Sequence, residues 1–71
     1  MDRYDDTLRT LAHDRRMVMV RLARLDQQLE GEGAADAAGQ AERAHLAAAL
    51  GMLERQVQQV HAVRRARRAA E

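Results

Sequence analysis

The 71-residue chain contains no Cys, Pro, Trp, Phe, Ser, Ile or Lys, and Tyr4 is its one aromatic residue. Without a thiol there can be no disulfide staple, no cysteine nucleophile and no zinc site built on thiolates. Without Ser, and with Thr7 and Thr10 on the same helical stretch as His13, no credible nucleophile stands beside a base and an oxyanion site. A paucity of aromatic and β-branched residues argues against a sheet, while the absence of Pro leaves long helices unbroken. No apolar run approaches the roughly 18 residues of a spanning helix, and Met1-Asp2-Arg3-Tyr4-Asp5-Asp6 lacks the basic flank and apolar stretch of a leader. The expectation is a cytoplasmic protein without membrane contact, without cofactor and without enzymatic activity.

What is present is Ala, Leu, Val and Met making up most of a 46% apolar share, together with twelve Arg and eleven carboxylates. These are mostly good helix formers, so the composition reads all-α. Apolar residues at 4, 8, 11, 18, 22, 25 and 29 follow alternating steps of three and four, and Arg15 occupies the one slot that would complete the series. Leu46, Leu50, Leu53, Val57 and Val60 repeat the alternation, which would continue to Arg64 and Arg67. Two heptad seams of this kind predict a coiled coil. Between them Gly31, Gly33 and Gly39 break the period. The expected organisation is a single domain: helix 1 over about 3–30, a tip at 31–36 and helix 2 over about 37–69. Gly31 should end the first helix in the left-handed conformation, and Asp36 should cap the second.

Folded back on themselves, the seams interlock in antiparallel order when paired numbers sum to 68. Leu8 then faces Val60, Leu11 faces Val57, Arg15 faces Leu53, Val18 faces Leu50, Leu22 faces Leu46 and Leu25 faces Arg43. A slip of one heptad requires a tip about seven residues longer and ranks second. The preferred register sets Asp2, Asp5 and Asp6 beside Arg64, Arg65, Arg67 and Arg68, with Tyr4 beside Arg64. It also sets Glu54 as the nearest acid to Arg15 across the interface, so an Arg15 to Glu54 contact is expected. Apolar residues are left over: Ala12, Met19 and Ala23 with Met17 and Val20 on helix 1, and Ala44, Ala47, Ala48 and Met52 on helix 2. A surplus stripe through Met17, Met19 and Val20 predicts a homodimer, a four-helix bundle.

Glu42 and His45, three apart on one helix face, have the spacing of half a carboxylate-bridged di-metal site. A complete site needs a second inward carboxylate, for which Asp26 and Glu30 are the nearest candidates, so a solvated helix face is the preferred reading and a di-metal helical protein the outside one. His13 and His61 stand isolated. The run Arg64-Arg65-Ala66-Arg67-Arg68 could contact phosphates, but it lacks interleaved aromatics and a basic recognition helix, and an acidic N-terminus is expected alongside. Nucleic acid is therefore not the expected partner. Glu30, Glu32 and Asp36 give the tip an acidic character, which repels phosphate and suits a basic protein surface.

The stretch from Leu11 to Arg16, the acidic glycine-rich tip with Asp36, Ala41-Glu42, and the run from Gly51 through Glu54 and Val57 to Val60 together resemble the N-terminal antiparallel coiled coil of the Gre transcript-cleavage factors. The resemblance implies a hairpin whose tip enters the secondary channel of bacterial RNA polymerase, where paired acids help to hold a metal ion. Asp36 would stand at the first acidic position. Gly39 sits where the family has its Glu, the tip is several residues longer, and nothing in these 71 residues corresponds to the family's C-terminal globular domain. The resemblance therefore implies binding to polymerase or an associated factor rather than cleavage. A structural or scaffolding coiled-coil subunit of a homo-oligomer is the alternative.

Overall fold

The computed structural model describes residues 3–31 and 36–70, and these are helical throughout apart from the residues flanking the turn. Helix α1 spans Arg3–Glu30 and α2 spans Ala37–Ala70, with no strand among the described residues. Each helix buries little of its own surface, so pairing with the other is what holds it in place. The two lie side by side in a rod of 57 × 18 × 13 Å.

Register is fixed at both ends and in the middle. Near the tip, the space above Gly39 is filled by Leu29, which lies so close that a Cβ on Gly39 would sit 2.9 Å from Leu29 Cδ2. Further along, Asp26 accepts a hydrogen bond from Arg43 Nε, Arg15 Nε lies 3.8 Å from Glu54 Oε1, and Arg64 Nη1 lies 3.2 Å from Asp5 Oδ1. The numbers of these three ion pairs all sum to 69, and those of Leu29 and Gly39 sum to 68. The hairpin thus has the tight-turn register, and a one-heptad slip would separate all three pairs.

The three pairs share one construction. Each arginine occupies a seam position of its own helix and reaches to an acid one place beyond a seam position of the facing helix. All three guanidinium groups therefore leave the seam toward the same side, Arg15 and Arg43 with side chains about half exposed and Arg64 more covered, at 25%. Such exposed pairs contribute about 0 to 1 kcal/mol each, so they select a register more than they stabilise it.

The core lies toward the tip. Leu25, Leu29 and Leu46 are 8, 9 and 8% exposed, and Val18 and Leu22 pack against them. From Leu11 and Val57 to the open end, the seam residues are only half-buried. Tyr4 closes that end differently from expectation. Its hydroxyl accepts a hydrogen bond of 3.0 Å from Arg67, one turn beyond Arg64, because the Arg64 guanidinium is turned to Asp5. Arg3 lies over the Tyr4 ring, 5.9 Å from its centroid.

The turn corrects one expectation. Among the described residues no glycine has positive φ, so Gly31 does not cap α1 in the left-handed conformation. It ends the helix as an open turn with nothing within 4 Å of where its Cβ would be, and its low helix propensity suffices for the stop. At the start of α2, Asp36 Oδ1 accepts a 3.0 Å hydrogen bond from the Ala38 amide, while its carbonyl accepts the first helical bond from Gln40. That is an N-cap, satisfying one of the amides a helix start leaves unpaired. Asp36→Ala should accordingly lower the stability of the hairpin by about 1 kcal/mol, read as a fall in the thermal midpoint. Asp36→Asn, which keeps the acceptor oxygen, should not.

Candidate functional site: the tip and the two long faces

The acidic tip is one candidate. Glu30 closes α1 and Asp36 precedes α2, both exposed, while Glu32 lies outside the described residues. Asp36 already serves its own helix through the Ala38 amide, so it is a structural residue as well as a surface charge. Gly39 is buried, held between Leu29 and the Asp36 carboxylate. No side chain fits at Gly39 without moving Leu29, and an acid there would have to displace the residue that closes the core.

Glu42 and His45 are exposed on α2 and face away from the seam. Glu42 borders a shallow groove lined by Arg21, Arg24, Leu25 and Gln28, a setting that offers it cations and no second carboxylate. Asp26, the nearest candidate to complete a metal set, is held by Arg43 on the other side of the seam. Among the described residues no group of three or more His, Cys, Asp or Glu converges on a point that could hold an ion. His13 Nδ1 meets only its neighbour Asp14, at 3.5 Å. Thr7 donates its hydroxyl hydrogen bond back to the Arg3 carbonyl of its own helix.

The basic run is divided by the hairpin. Arg64 goes to Asp5 and is partly buried, Arg67 reaches the Tyr4 hydroxyl from an exposed position, and Arg65 and Arg68 are exposed. The run therefore does not present four arginines to one ligand. Arg15 is about half exposed, with a side chain at 47% against 53% for Glu54, as expected for a seam arginine that snorkels out.

The apolar surplus is not one stripe. Met17 and Met19 lie two residues apart and so about 200° apart round a helix of 3.6 residues per turn. A groove of about 450 Å³ is lined by Ala12, Arg15, Arg16, Met19, Val20 and Ala23, on the side to which the ion pairs emerge. Across the seam on that same side, Ala44, Ala47 and Gly51 precede Glu54 in steps of three and four. Met17 shares a row with Thr7, and Met52 shares one with Gln56 and Val63. These rows border a second groove of about 300 Å³ on the opposite side, lined by Tyr4, Thr7, Leu11, Gln56, Val60 and Val63 among others. The expected grouping of Met17 with Met19 and Val20, and of Met52 with the helix 2 alanines, is thus replaced by two faces. One carries Met19 and a row of small residues on α2 beside Arg16 and the emerging ion pairs, and the other carries Met17, Met52 and Val63 together with Asp14, Arg21, Glu42 and His45.

No protein-family model matches the chain, and no curated protein or solved structure matches it. No helix among the described residues is long and apolar enough to cross a membrane.

Proposed function

We propose that this chain is a non-enzymatic interaction protein, a helical hairpin that self-associates into a four-helix bundle and binds another protein through its acidic tip. The observation that carries the reading is the imbalance between what the hairpin buries and what it leaves out. Three leucines form the buried core, while Met17, Met19, Val20, Met52 and Val63 are all more than 40% exposed. A chain that orders this much backbone around so small a core gains its remaining stability from a partner surface.

The named candidate partner is bacterial RNA polymerase or a factor bound to it, a candidate that rests on the resemblance of the hairpin to the Gre coiled coil. Exposed Glu30 and Asp36 at the turn support an acidic tip suited to a basic channel. Binding of the chain to purified core polymerase, measured by interferometry, tests it. The tip variant Glu30→Gln, Glu32→Gln, Asp36→Asn, which preserves the cap, should weaken binding at least tenfold with little change in thermal midpoint. Binding that survives the triple variant, or no binding by the parent, would leave the scaffolding subunit as the function. That second reading is favoured by one observation of its own: Gly39 is packed against Leu29 where the Gre tip carries its second acid.

A further inference from the structure

We propose that the face carrying Ala12, Met19, Ala23, Ala44, Ala47 and Gly51 is the surface on which a second copy of this chain packs, and that the two hairpins lie head to tail. The inference rests on the self-association proposed above and adds the face and the direction.

The area argument comes first. A compact monomer of 8.0 kDa exposes about 4,450 Å². This chain exposes 5659 Å², an excess of about 1,200 Å² over that compact surface. A stable dimer buries about 800 Å² on each partner. One broad face of the rod, 57 by 18 Å, is large enough to supply it.

Gly51 then distinguishes the two faces. A glycine in the interior of a 34-residue helix costs roughly 1 kcal/mol relative to Ala. Within the hairpin nothing requires it: its φ is not positive, and a Cβ there would meet only the end of Arg55, at 3.7 Å. Gly39 is different, since Leu29 occupies its missing side chain. Gly51 lies in one row with Ala47 and Ala44, so α2 presents only small residues over two turns, next to Met19 across the seam, with the flexible end of Arg55 lying beside Gly51. That shape admits a second helix at close range. Both faces carry charge at their middle, Arg16 and the pair of Arg15 with Glu54 on this one and Asp14, Arg21, Glu42 and His45 on the other, which also exposes Met17, Met52 and Val63; the row of small residues, absent from the other face, is what separates them.

Charge sets the direction. Residues 20–50, the tip half, carry three Arg and five carboxylates, a net −2, while the remaining residues carry nine Arg and six carboxylates, a net +3. Parallel stacking would place like ends together, and antiparallel stacking places the tip half of each copy over the basic open half of the other. With the two-fold axis at Met19, the Met19 side chains of both copies meet. Gly51 then falls over Ala47 of the second copy, and Arg9 falls beside its Glu30. The particle so formed carries its two tips at opposite ends, each next to the exposed Arg65 and Arg68 of the other copy.

Cysteine variants of the full chain test this cleanly, because the parent has no thiol. Under mild oxidation Met19→Cys should give a covalent dimer, and Met17→Cys and Met52→Cys should not. An equimolar mixture of Arg9→Cys and Glu30→Cys chains should give the mixed dimer, with little Glu30→Cys homodimer. Gly51→Leu should weaken self-association at least tenfold by light scattering, with helix content by circular dichroism equal to the parent's once the concentration is raised enough to restore association. Dimers formed through Met17→Cys or Met52→Cys would place the interface on the other face, and a dominant Glu30→Cys homodimer would make the pair parallel. Either result overturns this inference while leaving self-association standing. A parent chain that scatters as an 8 kDa monomer at high micromolar concentration would remove both.

Discussion

Leu46→Ala should abolish the folded hairpin at 25 °C, a larger loss than any substitution outside the tip-end core. Among the described residues Leu46 is one of three buried apolar side chains, and it closes the cluster of Leu25 and Leu29 from the facing helix. Truncating a buried leucine removes its own transfer free energy and leaves a cavity, together about 2 to 5 kcal/mol. The whole stability of an ordinary domain is about 5 to 15 kcal/mol, and a two-helix chain belongs at the lower end or below it. The expected result is loss of most of the helical ellipticity at low micromolar concentration, recovered in part as concentration rises, since association stabilises the folded form by mass action. Met52→Ala, at an exposed position, should shift the thermal midpoint little, in keeping with the few tenths of a kcal/mol typical of surface changes. A Leu46→Ala chain that melts within two degrees of the parent would show that the tip-end cluster is not what holds the helices together.

The same cluster marks how far the sequence alone could be read. Leu25, Leu29 and Leu46 sit in the two heptad series, and the helix limits follow from the glycine-rich break between those series. The antiparallel register was legible because Arg15, Glu54, Leu50 and their neighbours can interlock with a short turn in one way only. Less was legible where the deciding quantity is not periodicity. Heptad spacing alone did not reveal that Gly39 is filled by Leu29, since that contact depends on how closely two backbones approach. Nor could the spacing show that Gly31 stops α1 without positive φ. Met17 and Met19 are close in sequence, yet a helix turns them to opposite sides, so nearness along the chain does not make one stripe of them. Asp26 with Arg43 was legible in principle, for the rule that pairs Arg15 with Glu54 also generates it, and the rule becomes visible only when all three pairs are set side by side.

Those pairs define the last expectation, which concerns Arg15. Arg15→Leu should raise the thermal midpoint. The arginine holds a seam position opposite Leu53, and its guanidinium lies 3.8 Å from Glu54 with both side chains about half exposed. At that distance and exposure the pair contributes no more than about 1 kcal/mol, part of which is offset by the entropy of holding two long side chains. A leucine there would continue the series from Leu11 to Val18 and bury itself against Leu53, for about 1.5 to 3 kcal/mol when fully covered. The net gain of about 1 kcal/mol corresponds to a rise of roughly 4 to 8 °C in a domain of this size. The gain has a cost in uniqueness. Arg15, Arg43 and Arg64 are satisfied together when each number and its partner's sum to 69, and removing the central one leaves Leu residues that pack almost as well one heptad away. Size-exclusion chromatography with light scattering should therefore show the variant as a broader distribution of oligomers than the parent. A variant that is less stable than the parent, and still a single species, would mean that Arg15 acts as a structural ion pair and not as a register-setting one.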